Sequence, residues 1–244
     1  MSRMEYQGFH SGGMGRLSLA SIVCVLMGII IGAGAHLWLG LNFSNAGEVS
    51  NAGEGKELIA YITNSWTNEL LVVDLASKVV KNRIPTGGPL HKGPCGIDIT
   101  PDGGRIYVTN PELDNVLVVN TTNHRIEANT SVGRRPIDIV ISRDGRFAWV
   151  LCSDSHEVYI IQTESNRIVN IISVDAAPHC AAISPDGSWL YVGTSRFWYQ
   201  GSMYCASGKI LVINASANTV MEIIDLGSGT WVSNVVFTPD SRYA

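Results

Sequence analysis

The sequence predicts an all-β domain made of a repeated four-stranded antiparallel unit, carried behind one N-terminal membrane-spanning helix. Three observations predict it. A segment recurs down the chain with its aromatic marker at Tyr61, Tyr107, Trp149 and Tyr191, spacings of 46, 42 and 42 residues. Each copy alternates apolar residues with a period of two and is punctuated by Pro-Asp-Gly turns. Residues 17–43 carry no Asp, Glu, Lys or Arg.

That uncharged run exceeds the ~20 apolar residues a helix needs to cross a bilayer. Arg3 and Arg16 precede it with only Glu5, while Glu48, Glu54 and Glu57 follow it with only Lys56. The bias puts residues 1–16 in the cytoplasm and everything after the span outside, on the cell-surface side. A cleavable signal peptide is the rival reading, since "AGA" at 33–35 fits a signal-peptidase site. The continuing "HLWLGLNF" favours an uncleaved anchor, and both readings export the rest. Gly28 and Gly32 form a GxxxG step of the kind that packs membrane helices. Residues 44–57, small and polar, read as a flexible tether.

Residues 58–244 hold the repeat. "AYITNSWTNELLVVDLASKVV", "IYVTNPELDNVLVVNTTNHRI", "AWVLCSDSHEVYIIQTESNRI" and "LYVGTSRFWYQ…GKILVINASANTV" are its copies, the last with an insertion. Between them stand "PCGIDITPDG", "PIDIVISRDG", "PHCAAISPDG" and "VSNVVFTPDS", each an apolar strand followed by a turn in which Pro presets φ and Gly accepts a positive one. Four strands per unit, one inner, one aromatic, a third and an outer one, at this repeat length make the blade of a β-propeller.

With "YVTN" verbatim at 107–110, these units resemble the YVTN-repeat β-propellers of surface-layer and other exported proteins. The resemblance covers 58–244 and implies a propeller of about seven blades that serves at a surface. The copies found here amount to about four blades. Counted with an inner strand at 232–238, sixteen strands suffice in principle to close a four-bladed ring. The reading preferred is a propeller incomplete at its C-terminus, with complementation between two chains as the other possibility.

The resemblance also implies that ligands meet the face carrying the loops into each inner strand and the loops joining second and third strands. Departures from the repeat gather there. One loop is lengthened to "PTGGPLHKGPCG", with His91, Lys92 and Cys95; another reads "DAAPHCAA", with His179 and Cys180. Counted from Pro94 and Pro178, Cys95 and His179 share a repeat position. His91, Cys95, His179 and Cys180 are the candidate metal ligands, since thiolate and imidazole suit zinc or copper, but no tight CxxC or HxH spacing supports them. No cofactor is otherwise expected. The insertion "SRFWYQGSMYCASG" adds Phe197, Trp198, Tyr199 and Tyr204 to the same face, aromatic rings suited to recognition.

Cys152, at the Asn of the YVTN motif, is expected to bridge to Cys205 in an oxidising compartment, with a Cys180–Cys205 bridge as the alternative. Asn42, Asn120, Asn129 and Asn214 lie in N-x-S/T sequons. Asp98 and Asp138 are read at matching positions of the inner strands, with Ala182 breaking the set. No catalytic motif is present: no GxSxG, no HExxH and no phosphate-binding Gly loop. A net charge of −4 with scattered Lys and Arg excludes a nucleic-acid partner. A surface binding or protein-interaction module, meeting other surface proteins or glycans, is the expected function. An exported propeller enzyme or accessory resembling lactonases, quinoproteins or haem d1 propellers, with a group at the channel mouth, is the alternative.

Overall fold

The computed structural model describes residues 58–244 except 90–92, 94, 195, 196, 200, 201 and 205–207, all within one compact unit, Trp38–Ala244. The expected cytoplasmic segment, membrane span and tether, and with them Asn42, His91, Lys92 and Cys205, lie outside the described residues. Among those that are described, no helix is long and apolar enough to cross a membrane.

The repeat becomes a series of antiparallel sheets. β1 (Ile59–Asn64), β2 (Glu69–Asp74) and β3 (Val79–Pro85) form a three-stranded one. β4 (Ile97–Ile99), β5 (Arg105–Asn110), β6 (Asn115–Asn120) and β7 (Arg125–Ser131) form the first complete blade. β8 (Pro136–Ile141), β9 (Phe147–Cys152), β10 (Glu157–Gln162) and β11 (Arg167–Ser173) form the next. In the fourth sheet β12 (Pro178–Ile183) and β13 (Trp189–Thr194) are separated from β16 (Lys209–Asn214) and β17 (Thr219–Asp225) by an inserted hairpin, β14 (Phe197–Tyr199) and β15 (Ser202–Tyr204).

The turns explain why the strands stop where they do. In the first turn of each blade Thr100, Ser142, Ser184 or Thr238 donates its hydroxyl to the Asp two residues on, and the left-handed position that follows is Gly103 (φ 70°), Gly145 (φ 72°), Gly187 (φ 75°) or Ser241 (φ 57°). At the outer corner, Asp74, Asn120 and Asn214 each accept backbone N–H bonds from residues two and three places on, which holds the chain in a turn. Each outer pair also carries a bulge at one repeat position, skipping Lys81, Glu127, Val169 and Met221 and adding twist.

The apolar core is layered between sheets. Trp149, Leu151 and Val158 of one blade meet Ala181, Leu190 and Leu211 of the next, all almost fully buried. Tyr107, Val116 and Val118 meet Ile139 and Val150 in the layer before it, and Leu70 and Val72 meet Ile106 and Val108 in the first. A polar bond recurs at the same joints. Tyr61 Oη lies 3.2 Å from His124 Nδ1, Tyr107 Oη donates to Asn166 Oδ1 at 2.7 Å, and Trp149 Nε1 donates to Asn218 Oδ1 at 2.8 Å. His124, Asn166 and Asn218 all sit left-handed at the outer corner of the following blade. The aromatic marker is thus both an apolar filler and a directed latch.

Inner strands run side by side, β8 against β4 and β12 against β8. The predicted inner strand at 232–238 is not a strand. It runs extended over blade four: Val232 donates its N–H to Thr194 O at 2.9 Å, and Val232 and Val235 pack on Cys180 and Ala182. An inner strand exists by pairing with a second strand, and none among the described residues pairs with this segment. Nor is a four-bladed ring closed among the described residues, where β1 pairs with β2 alone.

Candidate binding face at the channel mouth

Antiparallel pairing puts the start of each inner strand beside the end of its second strand, as the pair Pro136↔Cys152 and the pair Pro178↔Thr194 show. Just after each proline the register slips by one residue, so Ile137 and His179 are bulged. A bulge at a sheet edge re-aims its side chain. Cys95, at the same repeat position, is tied across two blades: its N–H donates to Thr109 O and its carbonyl accepts from Thr63 Oγ1, both at 3.1 Å. Cys95 and His179 are exposed, and Ile137 is half-buried. The shared position found in the sequence is thus a bulge in the third and fourth blades.

Although exposed, these side chains are partly desolvated. Desolvation raises the Cys95 pKa, the Asp138 carboxylate adds to the rise, and Arg135 opposes it. Desolvation lowers the His179 pKa and Arg135 lowers it further, so the imidazole is held neutral at pH 7. Arg135 therefore acts on both groups. It sits left-handed (φ 55°), with its N–H donated to Asp114 Oδ1 at 2.8 Å and its guanidinium 3.9 Å from exposed Asp154. Sequence reasoning passed over this residue; its signal was a non-glycine in "VGRRP" immediately before the proline that opens an inner strand.

Of the candidate metal ligands, His91 lies outside the described residues and Cys180 turns away from the face. Neighbouring residues in a strand face opposite ways, and Cys180, next to exposed His179, turns its Sγ into the core at 3.7 Å from Val232 O, where burial pushes the thiol to about 12. Among the described residues no three His, Cys, Asp or Glu are grouped to hold a metal ion. Cys152 is a fully buried thiol, also pushed to about 12 by burial, and its expected partner Cys205 lies outside the described residues.

Asp98 and Asp138 need a correction. Asp98 pairs with Tyr107, the place Val140 takes opposite Trp149, whereas Asp138 lies two residues earlier in the repeat. An even offset keeps both on one face of their strands, and both do the same work. Asp98 Oδ2 accepts from Ile141 N at 2.8 Å and Asp138 Oδ2 from Ala181 N at 3.0 Å, each fastening its inner strand to the next.

The aromatic insertion is a hairpin whose pairs are Phe197↔Tyr204, Trp198↔Met203 and Tyr199↔Ser202. It leaves blade four at Thr194, opposite Pro178, and so rises from the same edge as His179. Of the described sequons, Asn129 is exposed on β7, while Asn120 and Asn214 are half-buried corner caps. The opposite face holds an open groove of about 970 Å3 between blades two and three that the sequence reading missed. It is lined by Asp102, Arg105, Asp144, Arg146, Phe147 and Gln162, among others, and its arginines are already engaged, Arg105 with Glu127 and Arg146 with Asp144.

No protein family and no curated protein matches the chain. Among solved structures it is similar to the hydrazine synthase of Kuenenia stuttgartiensis, at 28% identity and a TM-score of 0.65, over 75% of this chain and 50% of that one. It is also similar to the Dos1 propeller, at 13% identity and a TM-score of 0.56, over 75% of this chain and 45% of that one, a likeness of fold. The chain spans about half the length of these structures. Successive four-stranded sheets with adjoining inner strands, together with this likeness, make the domain a β-propeller.

Proposed function

We propose that the chain is a membrane-anchored, extracytoplasmic propeller of the YVTN type that acts as a binding module, recognising a surface protein or glycan at its channel mouth. The observation that carries this reading is the rise of the β14–β15 hairpin from the edge that also presents His179, by the pairing of Pro178 with Thr194. Loops and hairpins added to a rigid scaffold are where recognition is usually built. Phe197, Trp198, Tyr199 and Tyr204 are the contact residues of this proposal, with His91 and Lys92 beside them and glycans at the sequons.

Replacing residues 195–207 by a short turn is expected to reduce binding to the cell-envelope fraction of the parent organism at least tenfold. The circular dichroism of the sheets should stay unchanged. Binding that survives the replacement would remove the hairpin from the site.

A second reading, a component of an exported enzyme, is favoured by the 28% identity to hydrazine synthase. It predicts a stoichiometric metal or a visible chromophore in the purified chain. Elemental analysis and absorbance that find neither would count against it.

A further inference from the structure

The groove on the face opposite the channel mouth has fixed walls, formed by turns of blades two and three. In each blade the outer corner is tied to the first turn: Thr121 donates its hydroxyl to Gly103 O, and Thr163 donates its own to Gly145 O. The walls are also tied to each other, since Arg105 Nη1 and Tyr107 Oη of blade two both donate to Thr163 O of blade three at 3.1 Å. A cleft held in this way needs little ordering when a ligand arrives. Its volume of about 970 Å3 lies at the upper end of the range of small-ligand sites.

The lining selects the chemistry. Its cations are already balanced: Arg105 Nε lies 3.2 Å from Glu127 Oε2, and Arg146 Nε lies 3.0 Å from Asp144 Oδ2. An anionic ligand would displace a carboxylate and a cationic one an arginine, trading one exposed ion pair for another with little gain. Hydrogen-bonding capacity, by contrast, is not used up. Of the five N–H donors of a guanidinium, Arg105 commits two to described partners. Asp102 Oδ1 accepts from Thr100 Oγ1 at 2.6 Å and from Gly104 N at 2.9 Å, bonds that hold the carboxyl below its usual range, and the second oxygen remains an acceptor. Phe147 adds one half-buried ring, with the Arg146 guanidinium 5.4 Å from its centroid.

We propose that this groove is a second binding site, one that takes a neutral oligosaccharide and is independent of what the hairpin at the channel mouth recognises. A sugar matches the lining on both counts. Each of its hydroxyls donates and accepts, so one ring can serve Asp102, Arg105 and Gln162 without bringing any charge to a site whose arginines are paired. Its C–H face finds apolar surface in the Phe147 ring and the Arg146 stem.

The test is binding of the full chain, in a detergent whose headgroup is not a sugar, to a printed array of neutral and acidic oligosaccharides. At least one neutral oligosaccharide is expected to bind, and to bind equally at low and high salt, because no net charge is exchanged. Two variants locate it. Glu164→Trp fills the groove from an exposed position of its lining, and Arg146→Ala removes a donor and part of the apolar surface. Each is expected to weaken that binding by about tenfold or more, with the circular dichroism of the sheets unchanged. Replacement of residues 195–207 is expected to leave it intact, which separates failure of this site from failure of the one at the mouth. An array that binds only through acidic sugars, or not at all, would overturn the proposal. So would a neutral ligand that either groove variant still holds in full or that the hairpin replacement releases.

Discussion

At the scale of single residues, the aromatic marker of each repeat does two jobs that separate substitutions can divide. Tyr107 is fully buried and its hydroxyl donates across the joint to Asn166 Oδ1 and lies 3.1 Å from Thr163 O. Burial raises its pKa to about 12, so the phenol remains a donor at any pH the protein meets. Tyr107→Phe keeps the ring and strands these partners; a loss of about 1–2 kcal/mol in urea unfolding is expected. His179 gives a pH signature. Its pKa is lowered from 6.5, so just below that pH the unfolded chain binds more protons than the folded one. Stability is therefore full above pH 6.5 and falls as pH drops through the folded-state value. The decline in urea midpoint between pH 7.5 and 5.5 should be smaller in His179→Gln than in the parent chain.

At the scale of elements, the inner strand decides how blades join, and a carboxylate stands in for the pairing that an edge strand lacks. Asp138 is buried and serves Ile139 N within its own strand and Ala181 N in the next. Asp138→Ala leaves both N–H groups unpaired in low dielectric, at a cost of about 1–3 kcal/mol by thermal or urea unfolding. Blades, turns and the insertion were legible in the sequence because Pro-Asp-Gly turns and alternation are local signals. The equivalence of Asp98 and Asp138 was misread although the sequence carries the offset: Asp98 stands four residues after Pro94 and Asp138 two after Pro136, and strand pairing puts them the same two residues apart. The segment 232–238 carried a strand's pattern, but pattern does not supply a partner. Cys95 and His179 were aligned correctly, whereas the facing of Cys180 into the core followed only from the bulge before it. Arg135 was missed because its importance lies in backbone conformation and in charge acting across blades, neither of which composition records.

Taken as a whole, the molecule is a chain of layers in which each blade is stabilised by its neighbours, as in other repeat architectures. Blade three is packed on both sides, by Tyr107, Val116 and Val118 on one and by Leu190, Val192 and Leu211 on the other. Among the described residues blade one has such packing on a single side. Native-state hydrogen exchange should therefore find the highest protection in β9 and β10 and lower protection in β1 and at 232–238, a difference of at least tenfold in exchange rate. Uniform protection across the blades would show that the layers open together rather than singly.

The latch between blades also has a direction. In every instance the donor or ring comes first in the chain and the corner that receives it belongs to the blade made afterwards, 59 residues later for Tyr107 and 69 for Trp149. At roughly 5–20 residues per second, synthesis keeps each joint waiting on the order of 3–14 s for the corner that completes it. A new blade is therefore born with a vacant seat, and the order of assembly is written into the chain as a schedule.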